Sequence, residues 1–253
     1  MKKRRLDVVV TERGLVQSRA RAQALIMAGK VRVDGHAVMK AGTPVADDAE
    51  IEVVEPDHPW VSRGALKLVA ALDAFEIDVG GLDCLDVGAS TGGFTHVLLE
   101  RGARRVIALD VGHNQLDWRL RSDQRVHVME GVNARLLGAG DLPFGVQLAT
   151  MDLSFISLSL VVPAVLPHLE PGARLVCLVK PQFEAGREQV GKGGVVRDEV
   201  VRRDVIDRVV ANLEGLGLDR IGLVPSPIAG QKGNREELAA FRWCGENTSV
   251  SGA

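Results

Sequence analysis

The segment Cys84-Leu85-Asp86-Val87-Gly88-Ala89-Ser90-Thr91-Gly92-Gly93-Phe94 constrains the chain most, because an apolar run enters a glycine-rich turn and leaves it as a helix. Glycine tolerates positive φ and close approach of backbone to a ligand, and a helix start offers free N–H groups. The spacing narrows the ligand. A dinucleotide fingerprint wants glycines at the first, third and sixth positions, whereas Ser90 holds the third. A phosphate loop wants Lys and then Ser or Thr after its last glycine, whereas Phe94 and Thr95 follow Gly93. Asp-x-Gly-x-x-x-Gly-Gly-Phe, with Asp110 ending the next apolar run, fits S-adenosylmethionine, whose ribose hydroxyls need a carboxylate at that second strand end. Methyl transfer is the chemistry this pattern implies.

From residue 62 onward apolar runs alternate with amphipathic stretches. Strands are expected near 82–87, 106–111, 126–130, 146–152, 174–180 and 219–224, and a last strand over 238–243 is expected to close the sheet edge. That order predicts an α/β fold, a doubly wound Rossmann-like sheet of about seven strands. Its ligands belong at the carboxyl ends of the strands, where Gly88, Asp110, Asp152 and Lys180 all fall. Ahead of it, residues 1–55 read as a small α+β domain. One helix starts at Leu6 and stops at Gly14, and a second is capped by Ser18 and runs to Ala28. Strands follow at 30–33 and 51–54, with Asp34-Gly35 as a hairpin turn. Pro56, Pro59 and Trp60 mark a linker over 56–61, which leaves 62–245 as the second domain and 246–253 as a tail.

The net charge of −2 hides an asymmetry: residues 1–40 carry ten Lys or Arg against three acids, and residues 41–60 carry six acids and no Lys or Arg. A basic head suits a polyanion such as nucleic acid. Cys84, Cys177 and Cys244 lack metal-ligand spacing, so they read as reduced core thiols and no metal is expected. Met1-Lys2-Lys3-Arg4-Arg5 leads into no apolar leader, which favours a cytoplasmic location. The apolar stretch at 158–169 is broken by Pro163 and Pro167 and falls short of the ~20 residues that cross a bilayer, so no membrane is implied.

Asp152 and Lys180 end two adjacent strands. A lysine there can take a proton from a hydroxyl while a carboxylate orients it, although the same pair equally fits a salt bridge closing the top of the sheet. Lys67, after Ser62-Arg63-Gly64, and Glu236, ahead of the last strand, carry no signal singly.

Several stretches in register do more: Ser62 to Leu68, Asp86 to Phe94, Ala108 to Leu116, Asp152 to Ser157, Val179 to Glu184 and Gly230 to Glu237. Through them the chain strongly resembles the TlyA family of rRNA 2′-O-methyltransferases, whose catalytic domain is similar to FtsJ-type RNA ribose methylases. The resemblance implies a catalytic set of Lys67, Asp152, Lys180 and Glu236, with Lys180 as base, Asp152 and Glu236 as holders of the lysines and the hydroxyl, and Lys67 as support for the alkoxide. It implies an S-adenosylmethionine site at Asp86, Gly88, Ala89, Ser90, Thr91, Gly92, Gly93, Phe94, Asp110, Val111, Asn133 and Asp152. Arg4-Leu6-Asp7, Gly14-Leu15, Ser18-Arg19, Ala22, Leu25-Ile26, Gly29, Val31 and Val33-Asp34-Gly35 resemble the αL RNA-binding module. Phosphate contacts from Arg4, Arg5, Arg19, Arg21 and Lys30, with Arg63 beyond the linker, are then implied.

The implied substrate is a cytidine ribose of ribosomal RNA within ribosomal subunits, the small one and, given the basic extension, the large one. No obligate protein partner is implied. His58-Pro59-Trp60-Val61 departs from the Arg-Ala-Trp-Val of longer members, which bears on activity toward both subunits. Two alternatives stand beside this reading. One is a catalytically silent RNA-binding or ribosome-assembly factor. The other is a haemolysin, a label carried by family members, although the sequence offers no long basic amphipathic helix for lysis.

Overall fold

The computed structural model describes residues 3–16, 18–54, 58–191, 193–230 and 233–245. The expected tail, 246–253, and Pro56 and Asp57 of the expected linker lie outside the described residues. The chain divides into two compact units, Met1–Pro59 and Trp60–Ala253.

The first unit runs β1 (Lys3–Arg5), α1 (Leu6–Glu12), α2 (Arg19–Met27), β2 (Val31–Val33), β3 (His36–Val38), β4 (Pro44–Ala46) and β5 (Ile51–Val53). Ser18 caps α2 by accepting from the Arg21 N–H at 3.2 Å, satisfying an N–H that the helix leaves open. Leu6, Val9 and Val10 of α1 and Ala22 and Ile26 of α2 bury against Val31 and Val45. Asp34 and Gly35 both take positive φ, +49° and +78°, the geometry that matches strand twist in a two-residue hairpin. They join β2 to β3, and β5 pairs with the other side of β2. β1, β3 and β4, each three residues long, were not expected from the sequence. Such short strands show too little alternation to be read.

The second unit runs α3 (Ala65–Ala74), β6 (Asp83–Val87), α4 (Gly93–Glu100), β7 (Arg105–Asp110), α5 (Trp118–Arg121), β8 (Val126–Glu130), β9 (Val146–Met151), α6 (Leu158–Val165), β10 (Leu169–Val179), α7 (Pro181–Glu184), α8 (Glu199–Glu214), β11 (Leu218–Pro225) and β12 (Glu237–Trp243). Its seven strands lie in the order β11-β12-β10-β9-β6-β7-β8. The five from β10 to β8 are parallel, and β12 runs antiparallel to both neighbours.

Alternation along each strand feeds two cores. Leu85, Ile107, Ala149, Cys177 and Phe241 face α6 and α8, whereas Cys84, Val106, Leu148, Val176 and Ala240 face α3 and α4. Covering both faces explains why these strands are unbroken apolar runs. One expectation needs correction: β12 does not close the sheet edge but sits between β10 and β11. Leu238, Ala239, Ala240 and Phe241 are fully buried there, while the edge falls to β11, whose Asp219, Arg220 and Ile221 are exposed. Charge on an edge strand blunts pairing with other chains. The strand order reverses at β6 and β9, so the crevice for a ligand opens between their carboxyl ends.

Candidate active site

The turn after β6 is built by its own hydrogen bonds. Asp110, at the end of β7, accepts from the Ser90 N–H at 2.8 Å through one oxygen and from the Gly112 N–H at 2.7 Å through the other. Gly88 has φ +84°, and a Cβ there would lie 3.0 Å from the Asp152 carbonyl oxygen. The glycine thus lets β6 and β9 approach where the crevice begins. A Cβ on Gly92 would collide with Leu116 and Leu120. That glycine serves packing between the turn and α5.

Asp86, read from the sequence as a cofactor contact, does not reach the crevice. It is fully buried, accepting from the N–H and hydroxyl of Thr95 at 2.8 and 2.7 Å and from the Thr150 hydroxyl at 3.2 Å. It is a bracket that ties the first turn of α4 to β6 and β9. Burial pushes its carboxyl up to about 7 against those hydrogen bonds.

Four charged side chains meet over the strand ends. Lys67 Nζ, from α3, lies 2.7 Å from Glu236 Oε2 and 3.8 Å from Asp152 Oδ2. Lys180 Nζ lies 2.6 Å from Asp152 Oδ1 and donates to Ser154 Oγ at 3.1 Å. Among the described residues Asp152 Oδ1 has no directed hydrogen bond, so its contact with Lys180 is one of charge with charge. It is an ion pair. Both lysines and Glu236 are buried, so each charge survives only through its partners. The Gln182 amide nitrogen donates to Glu236 Oε1 at 3.0 Å, and a Cβ on Gly230 would strike that carboxylate.

Two chambers open at this place. One, of about 230 Å³, is lined by Arg63, Lys67, Lys180, Gln182, Phe183 and Glu236 together with Ala89, Ser90, Thr91, Gly93 and Phe94 of the turn. The other, of about 440 Å³, is lined by Asp110, Val111, Gln115, Asn133, Leu153, Phe155 and Ile156. They share Gly88, Ser90, Asp152 and Ser154. Asn133 also caps a short 3-10 turn by accepting from the Arg135 N–H at 3.1 Å.

Four residues that the sequence reading left without a role emerge here. Ser154 and Gln182 bond members of the charged set. Phe155 has φ +66° and stands 85% exposed, with its ring 4.9 Å from that of Phe183. A bulky residue in that backbone region is strained, and such strain concentrates at functional sites. Only the aromatic identities within Asp152 to Ser157 and Val179 to Glu184 hinted at them.

In the first unit, Asp7 is fully buried and gathers Arg5, Arg19 and Gln23, its Oδ2 lying 3.0 Å from both guanidinium groups. Hydrogen bonds from Arg5, Gln23 and Arg19 hold its carboxyl far below the usual range despite burial. Both guanidiniums remain about half exposed, with donors left over. Arg4 pairs with Glu12 and Asp47. Arg21 is exposed, Lys30 half-buried.

The FtsJ-like methyltransferase family model matches residues 60–243, and the S4 domain model matches residues 4–51. A 16S/23S rRNA (cytidine-2′-O)-methyltransferase, TlyA of Mycobacterium tuberculosis, is 49% identical over 239 residues, 94% of this chain and 89% of its own. The chain belongs to this TlyA group of FtsJ-like methyltransferases. Hemolysin A of Brachyspira hyodysenteriae is 41% identical over 94% of this chain and 99% of its own. A solved structure from Streptococcus thermophilus, named as a candidate hemolysin, superposes with a TM-score of 0.76 at 42% identity, covering 97% of this chain and 90% of its own. Among the described residues no helix is long and apolar enough to cross a membrane.

Proposed function

We propose that the protein transfers a methyl group from S-adenosylmethionine to the ribose 2′-OH of a cytidine in ribosomal RNA, of the small subunit and also of the large one. The observation that carries this reading is the charged set Lys67, Glu236, Asp152 and Lys180 in a chamber that shares a wall with the Asp110 chamber.

The larger chamber fits the cofactor. It offers a carboxylate at the end of β7 for ribose hydroxyls, the apolar walls of Val111, Leu153 and Ile156 for an aromatic base, and Asn133 for polar edges. When bound, S-adenosylmethionine supplies a methyl group that its sulfonium already makes electrophilic. The chain's own work is alignment and removal of one proton. Lys180, once its ammonium has released a proton to solvent, takes the proton of the 2′-OH as the methyl group is transferred, and Asp152, 2.6 Å away, holds the ammonium that results. Lys67, fixed by Glu236 and Asp152, is a positive charge for the oxygen as it loses its proton. Phe155 and Phe183 at the mouth suit the face of a nucleobase.

Residues 1–55 would supply RNA affinity through Arg4, Arg5, Arg19, Arg21 and Lys30, joined by Arg63, and residues 62–245 the chemistry. A ribosomal substrate puts the work in the cytoplasm.

Transfer of labelled methyl from S-adenosylmethionine to isolated ribosomal subunits tests the reading. Wild type is expected to label RNA. Lys180→Ala is expected to lose transfer by on the order of 10²–10⁴-fold, the usual worth of a positioned base, while still binding S-adenosylhomocysteine. Wild type that binds cofactor yet labels no subunit would instead indicate a silent RNA-binding factor.

A further inference from the structure

Lys180 meets two partners of different kinds. Its contact with Asp152 is a close ion pair without hydrogen-bond alignment, and its one side-chain hydrogen bond among the described residues goes to Ser154 Oγ at 3.1 Å. Ion pairing is nearly indifferent to rotation about Cε–Nζ, whereas a hydrogen bond is directional. The amine has three positions beyond Cε, filled by hydrogens when charged and by two hydrogens and a lone pair when neutral. We infer that Ser154 is a positioning residue for the base: its hydroxyl fixes the rotation of the Lys180 amine, so that a position it does not occupy faces the catalytic chamber. This rests on the reading of Lys180 as the base.

Ser154 is itself held opposite Lys180. Glu184, in α7 directly after Lys180, accepts from the Ser157 hydroxyl at 2.6 Å and from the Leu158 N–H at 2.8 Å. The loop carrying Ser154 is thereby clamped to the segment carrying Lys180. Ser154 also lines both chambers, and so stands where they meet.

The experiment compares wild type, Ser154→Ala, Ser154→Thr and Lys180→Ala in the full chain. Ser154→Ala is expected to lower the high-pH plateau of kcat about tenfold, within the cost of a misplaced catalytic group, with KM for RNA and affinity for S-adenosylhomocysteine unchanged. Ser154→Thr, which keeps the hydroxyl, is expected to restore kcat. A second readout needs no turnover: titration of Lys180 by NMR of isotopically labelled lysine, assigned with Lys180→Arg. An acceptor on an N–H favours the charged form, so Ser154→Ala is expected to move the Lys180 midpoint to lower pH. The other groups around Lys180 stay in place in this comparison: Asp152 and the Phe183 ring directly, and Lys67 and Glu236 behind Asp152. An unmoved midpoint overturns the inference whatever kcat does, and so does a moved midpoint with wild-type kcat. Wild type that transfers no methyl contradicts the functional reading instead, and the NMR titration then decides on Ser154 by itself.

Discussion

Asp86 shows how far one buried carboxyl is governed by its surroundings. Burial raises it to about 7 in the folded chain, against about 4 when unfolded. Between about pH 4 and about pH 7 the folded state keeps a proton that the unfolded state has released, so stability falls as pH rises across that window. Relative to Asp86→Asn, which cannot ionise, wild type is expected to lose several degrees of melting temperature between those two pH values. Parallel melting curves would show an ordinary carboxyl. Gln182 makes a complementary case. Among the described residues its Oε1 is buried without a partner while its nitrogen holds Glu236, and such an orphan costs about 1–3 kcal/mol. Gln182→Met removes that orphan but leaves buried Glu236 Oε1 without its amide donor, so melting temperature is expected to change little while kcat falls about tenfold through a loosened Glu236. Loss of both together would make Gln182 a packing residue only. Neither partnership was legible in the sequence, since Gln182 and Glu236 stand 54 positions apart.

At the scale of elements, the loop after β7 illustrates an organiser that local patterning hides. Glu130, the last residue of β8, accepts from three successive backbone N–H groups, those of Asn114, Gln115 and Leu116, at 2.9, 3.1 and 3.4 Å, and pairs with Arg121 at 2.6 Å. Arg121 and those amides hold its carboxyl down at about 2, so it stays charged throughout the neutral range. Gln115 in that loop accepts from the Ser90 hydroxyl at 3.3 Å and lines the larger chamber. Glu130→Gln, which points donors at donors, is expected to weaken binding of S-adenosylhomocysteine about tenfold, with kcat at saturating cofactor nearly unchanged. Calorimetric titration checks the first and saturation kinetics the second; unchanged affinity would refute the clamp. The strands of the large sheet were legible because burial on both faces demands unbroken apolar runs such as Leu175 to Val179. The place of β12 was not, because strand order depends on pairing between distant segments, here Leu178 with Leu238. The glycine turn was legible as a ligand loop, yet Gly92 answers to Leu116 and Leu120, which only the fold brings near.

For the whole molecule, the proposed function assigns the charge asymmetry along the chain to a division of labour. The basic character of residues 1–40 was plain in composition, but not that Arg5 and Arg19 would be gathered on buried Asp7. Arg19→Ala is expected to weaken RNA binding and flatten its salt dependence by about one phosphate contact, with affinity for S-adenosylhomocysteine intact. Lys180→Ala is expected to do the reverse, losing transfer and keeping RNA affinity. Equal loss of RNA binding in both variants would contradict two units with separate tasks. The measurement that bears most directly on the function is mass-spectrometric mapping of the methyl group after reaction of wild type with isolated 30S and 50S subunits. The expected product is a 2′-O-methylcytidine, absent with Lys180→Ala. A methyl group on a base, or none on either subunit despite demonstrated cofactor binding, would contradict the assignment.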